Sequence, residues 1–103
     1  GISEKEANFL FRNDLESVRN EARKYGFFEK LNRARKAVVL SMIFQLGARG
    51  FSKFKNFIKA LTRSDYKEAS AEMLDSKWAR LDSPNRAEEL SQMMRAGDFV
   101  DEY

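Results

Sequence analysis

A chain of 103 residues has room for one hydrophobic core and not for two, and its 43% apolar and 34% charged residues support a packed globule and exclude a disordered segment. Nineteen basic residues against sixteen acidic ones leave a net charge of +3, a mild bias toward anionic partners without the lopsided charge of a strong nucleic-acid binder. Cysteine and histidine are both absent, which removes disulfides, thiolate nucleophiles, imidazole bases and nearly all zinc sites; no metal or cofactor is expected, and any chemistry falls to carboxylates.

Ser3-Glu4-Lys5-Glu6 reads as a capping box, so a helix is predicted to open there. Ala7, Leu10, Phe11, Leu15, Val18, Ala22 and Tyr25 follow at helical spacing, and Gly26 is expected to supply a left-handed stop. Phe27 and Phe28 fall in a short turn. Leu31 to Leu46 then reads as a helix, apolar on nearly all sides from Ala37 onward and ending at Gly47. A helix apolar all round is a buried one, so this is the expected central core helix. The run Ala37 to Leu46, interrupted by Ser41 and Gln45, is too short to span a bilayer.

Phe51, Phe54, Phe57, Ile58 and Leu61 recur at three and four, which predicts one or two short helices after a break at Gly50. Ser64 is read as the N-cap of a helix through about Leu74 that buries Tyr66, Ala69 and Met73. After a turn around Ser76 to Leu81, Ser83-Pro84 opens a helix to about Ala96, with Ala87, Leu90, Met93 and Met94 inward and Gly97 as its stop. Nothing alternates with period two over a useful length. The predicted fold is all-α: a compact bundle of short helices around a buried central helix, without repeats or linkers. No signal peptide is evident, and a first residue Gly1 in place of Met suggests cleavage or a fragment.

Three stretches carry a family likeness: Met42-Ile43-Phe44-Gln45-Leu46-Gly47 with Gly50 and Phe54 behind it, Ser76-Lys77-Trp78, and Ser83-Pro84-Asn85-Arg86-Ala87. Their types, order and spacing resemble the C-terminal helical lobe of the phage-type lysozymes, the endolysins of T-even phages and their relatives. Ile2 to Asp14, ending in Leu10-Phe11-Arg12-Asn13-Asp14, resembles the start of the helix joining the two lobes. The resemblance therefore implies residues 1–26 as connecting helix and 27–103 as helical lobe, in one folded unit.

It also implies one wall of a cleft for peptidoglycan, in an enzyme that cleaves the bond between N-acetylmuramic acid and N-acetylglucosamine. The family's general-acid glutamate, with an aspartate and a threonine, belongs to an N-terminal lobe ahead of the sequence given. Glycoside hydrolysis generally needs two carboxylates flanking one bond, so no catalytic residue is assigned and the chain alone is expected to be inactive. Glu68, Glu72 and Asp75, at spacings of three and four, read as a solvated helix face, as do Glu88 and Glu89.

By resemblance, the substrate-binding residues are Phe44, Gln45, Gly50, Phe54, Glu72, Lys77 and Trp78. Taken alone, Trp78 reads as core or hinge and Gln45 as a helix cap. Phe9, Leu10, Phe11, Asn85 and Arg86 are expected at the contact between lobes, where the family's arginine pairs with the catalytic glutamate. An uncovered cluster at Phe9 to Phe11 favours association, so the expected partners are peptidoglycan and either the N-terminal lobe or a second copy held through the first helix. Neither nucleic acid nor a membrane span is expected. A phage product of this kind would be made in the host cytoplasm and act on the wall in the periplasm or at the envelope. Two alternatives are a stand-alone non-enzymatic binding or regulatory module, and a nucleic-acid binder using Arg33, Arg35, Lys36, Lys53, Lys55 and Lys59; core packing explains the latter pattern better.

Overall fold

The structure, a computed structural model, describes residues 16–82 and 84–99. The expected capping box at Ser3, the cluster at Phe9, Leu10 and Phe11, and the cap at Ser83 lie outside the described residues. All the regular structure among the described residues is helical, without a strand.

Helix α1 is described over residues 16–23 and closes by tightening rather than by a left-handed glycine. The amides of Lys24 and Tyr25 donate to the carbonyls of Glu21 and Ala22 at 3.2 and 3.1 Å, a 3-10 pattern, and Gly26 does not take a positive φ. The expected stop at Gly26 is thereby corrected. A single 3-10 turn, Phe28–Lys30, follows, and Phe27, Phe28 and Leu31 are buried around it.

Helix α2, Arg33–Ser52, starts where the Asn32 side chain accepts the amide of Arg35 at 2.9 Å. It breaks at Gly47, whose φ of 78° and ψ of 165° lie in a region essentially confined to glycine. The expected end at Gly47 is borne out, but helical geometry then resumes through Gly50 to Ser52, so the expected break at Gly50 does not occur. A Cβ at Gly50 would sit 3.1 Å from that of Leu46, so this glycine supplies room rather than a special φ.

Helix α3, Lys55–Thr62, ends in a Schellman arrangement. The amides of Asp65 and Ser64 donate to the carbonyls of Ala60 and Leu61 at 2.8 and 3.1 Å, with Ser64 itself left-handed at φ 59°. Ser64 therefore closes α3 and does not cap the next helix as the sequence suggested. That role passes to Asp65, which accepts the amide of Glu68 at 3.1 Å and opens α4, Tyr66–Leu74. A carboxylate there also suits the positive end of the helix dipole.

Ser76 bridges onward, donating to the Met73 carbonyl and accepting the Ala79 amide, and leads into a π-helical turn, Trp78–Asp82. Helix α5, Pro84–Ala96, begins at its proline and ends at Gly97 as expected, with φ 76° and the Gly97 amide on the Met93 carbonyl at 2.8 Å.

The core gathers around Phe51, Phe57, Met42, Leu61, Met73, Met94, Val38 and Val39, all fully buried. Burying each of the larger side chains is worth about 1.5–3 kcal/mol. Edge-on ring pairs run through it from Tyr25 to Phe51 at 5.3 Å, to Phe57 at 5.9 Å, to Phe54 at 6.2 Å, and to Trp78 at 6.3 Å. Arg35 ties the start of α2 to the end of α5. Its guanidinium donates to the carbonyls of Met94 and Arg95 at 2.7 and 3.1 Å and lies 3.7 Å from the Tyr66 ring centre. Beside it, Asn32 donates to the Gly97 carbonyl at 2.9 Å.

Helix α2 is central, but its burial is one-sided. Ala34, Val38, Val39, Met42 and Ile43 are buried, whereas Ala37, Leu40 and Ser41 are half-buried and Phe44 is 48% exposed.

Candidate functional site

The break at Gly47 ends the long part of α2 at the surface, which leaves Phe44 and Gln45 exposed on its last turn. Trp78 fixes Gln45 from behind. The indole is buried, 4% exposed, and its N–H donates to the Gln45 side-chain oxygen at 3.3 Å. An indole nitrogen can only donate, so the amide must turn its oxygen inward and present its two N–H donors outward.

Phe44 and Gln45 line a groove of about 340 Å³ together with Ala37, Leu40 and Ser41 from α2, Arg19 from α1 and Arg86 from α5. Arg86, in the first turn of α5, is exposed and forms no ion pair among the described residues. On the other side of Trp78, Phe54 packs against the indole and lines a smaller hollow of about 240 Å³ with Lys53, Lys55, Glu72, Asp75 and Ser76. The buried indole thus touches one residue from each of two open hollows, Gln45 and Phe54.

The structure brings most of the expected substrate-binding residues to this region in those two groups. Phe44 and Gln45 share the first hollow with Arg86, and Phe54 and Glu72 share the second. Lys77 is exposed next to Trp78, and Asn85 is exposed next to Arg86, without forming a wall of either hollow. Gly50 is half-buried behind Leu46. Phe9, Leu10 and Phe11, expected at a contact between lobes, lie outside the described residues.

Partial desolvation, with Glu68 and then Asp75 close by, raises the Glu72 carboxyl above its ordinary value. Desolvation, then like-charge crowding on one helix face, account for that shift without a catalytic role. Asp75 meets Arg80 at 4.0 Å in an exposed pair, and the described residues contain no group of three or more His, Cys, Asp or Glu able to hold a metal ion. The two hollows present an aromatic ring, oriented amide donors and charges of both signs.

A family model described as phage lysozyme matches residues 1–95. The chain belongs to the phage lysozyme family. Within the curated members it is similar to two proteins of Dictyostelium discoideum, named Probable T4-type lysozyme 2 and Probable T4-type lysozyme 1. They are 29% and 27% identical over 100 residues, covering 93% of this chain and 58% of each relative. It is also similar to the pre-baseplate central spike protein Gp5 of Enterobacteria phage T4, 26% identical over 102 residues, covering 95% of this chain and 18% of that protein. The chain therefore spans less than two thirds of the length of these family members. Among the described residues, no helix is long and apolar enough to cross a membrane.

Arg19, Ala37, Leu40 and Ser41 were not singled out as site residues from the sequence. A signal for three of them was present: Ala37, Leu40, Ser41 and Phe44 recur at three and four on a face of α2 distinct from Ala34, Val38, Met42. A helix with two apolar stripes has one more than a single core requires.

Proposed function

We propose that this chain is the helical, substrate-holding lobe of a muramidase that cleaves the bond between N-acetylmuramic acid and N-acetylglucosamine in peptidoglycan, and that the general acid is supplied from outside these residues. The observation that carries the reading is the pairing of Trp78 with Gln45. A buried donor orients an exposed amide beside the Phe44 ring, and this is a means of holding an amide-rich, ring-bearing polymer such as an N-acetylated glycan with peptide stems. Family membership supplies the substrate class, since phage lysozymes act on bacterial walls.

In this reading Phe44 and Gln45 hold the glycan, Phe54, Glu72, Lys77 and Gly50 shape and charge the adjoining hollow, and Trp78 positions both. Arg86 and Asn85 face the remainder of the enzyme, with Phe9, Leu10 and Phe11 covering a second contact to it or to another copy. For a phage product, synthesis in the host cytoplasm precedes action on the wall at the envelope.

Pelleting of the purified 103-residue chain with peptidoglycan sacculi, scored together with release of soluble reducing ends, tests this. We expect the chain to pellet, Gln45→Ala with Phe44→Ala to weaken pelleting about tenfold, and no product to appear. Absence of pelleting would sink the substrate-holding role. Product release would overturn the assignment of the acid to another part of the protein, and pelleting of the double variant at full strength would move the site elsewhere.

A further inference from the structure

A second groove, of about 380 Å³, lies beside the Phe44 groove and shares Arg19, Ala37 and Leu40 with it. Its charge is one-sided. Arg19 and Arg23 project from α1, Arg33 and Lys36 from the first turn of α2, and the acidic side chain in the lining is Glu29. Glu29 is already shared between Arg23 at 4.0 Å and Lys36 at 3.7 Å, both long, solvent-exposed contacts. Arg19 and Arg33 make no ion pair among the described residues.

The fold gives no reason for this surplus. The first turn of α2 carries no acidic residue, and cations there oppose the helix dipole. Arg35, in the same turn, is the counter-example: it is turned away to hold the carbonyls of α5. Arg33 and Lys36 are left facing the groove, above the buried ring of Phe28, over which Lys36 lies at 5.6 Å. Closely set guanidinium groups around a partly apolar floor attract an anion whose charges repeat along a thin chain with hydrocarbon between them.

We propose that this groove binds a phosphodiester-linked polyol chain, the acidic polymer that many bacterial walls carry alongside peptidoglycan, and so tethers the lobe next to its glycan. The inference rests on the wall-directed reading given above. Two observations favour a thin polyol phosphate over nucleic acid: a groove of this volume admits a single chain and not a duplex, and Phe99 is the one exposed ring on it, where a single strand would need a row of rings to stack its bases.

The test is retention of the chain on walls bearing poly(glycerol phosphate), on the same walls stripped of it by hydrofluoric acid, and on immobilised single-stranded DNA, each across a salt series. The paired variant Arg23→Gln with Arg33→Gln removes two exposed cations that line this groove and not the Phe44 groove, and Arg23→Lys with Arg33→Lys keeps the charge. We expect intact walls to bind at least tenfold more tightly than stripped ones, the glutamine pair to lose that margin while binding stripped walls normally, and the lysine pair to recover most of it. Equal binding to intact and stripped walls, or a glutamine pair that retains the margin, overturns the proposal. Tighter binding to DNA than to intact walls at 150 mM salt overturns it in favour of nucleic acid. Failure to bind stripped walls by any version is a separate result, and it strikes the glycan-holding role instead.

Discussion

The two faces of α2 are made of similar residues and treated differently. Val38, Val39 and Met42 are fully buried in the core, while Ala37, Leu40 and Phe44, equally apolar in composition, are only half-buried or exposed among the described residues. The inner face is accounted for by folding alone. The outer face is the one that borders both grooves. Apolar character on a central helix is therefore met by full burial on one side and by an open groove on the other, and only neighbours in space tell them apart.

The sharpest way to break this distinction is to truncate one ring on each side. Phe51→Ala should cost about 3–5 kcal/mol, seen as a large drop in thermal midpoint, because its ring is fully enclosed between Tyr25 and Phe57. Phe44→Ala should cost under about 1 kcal/mol, since half of that ring is in water already. Equal losses would mean that the outer face belongs to the core after all.

Next in size is Gly47→Ala. This glycine is where α2 breaks, between Phe44 outside and Phe51 inside, and space around it is open, so the penalty comes from its backbone angles alone. A loss of about 1–3 kcal/mol in denaturant unfolding is expected. A neutral result would show that the helix can turn inward without the glycine-only geometry, and would weaken the claim that the break separates the two faces.

Two smaller changes sharpen the comparison by leaving both faces of α2 untouched. Ser64→Gly relieves a left-handed serine in the Schellman turn after α3, and should stabilise by about 0.5–1 kcal/mol with wall retention unchanged. Glu72→Gln addresses the second hollow. Because the folded Glu72 carboxyl is raised, the folded state holds its proton more tightly than the unfolded chain does, so stability falls as pH climbs from the ordinary value of 4.5 through the raised one. Glutamine should thus raise the thermal midpoint at pH 7 by about 1–2 °C and leave it unchanged below pH ~4, with surface screening keeping the effect small. A destabilised variant at pH 7 would mean that the charged carboxylate has a favourable partner.

Helix α5 was readable at both ends because Pro84 and Gly97 impose backbone limits that act locally. The central position of α2, the all-helical fold and the inward Met73, Leu90 and Met94 followed from spacing alone. Ser64 was misassigned because a serine before a helix satisfies two local rules, and the geometry ending α3 uses it first, leaving the cap to Asp65. Gly47 ends the long part of α2 as the sequence predicted, whereas the helical geometry that resumes through Gly50 was not legible there. The bond between Trp78 and Gln45 spans 33 positions and no periodicity encodes it; family likeness marked both residues without saying that one holds the other.

The clasp of Asn32 and Arg35 on the end of α5 has a wider consequence. It brings residue 97 within hydrogen-bonding distance of residue 32, so the segment from α2 to α5 begins and ends at one place. A module whose doorway is shared in this way can be set into a longer polypeptide at a single point, without stretching its host or being stretched by it. Such a module is portable, and the same geometry lets evolution or a protein engineer move it between proteins of very different length.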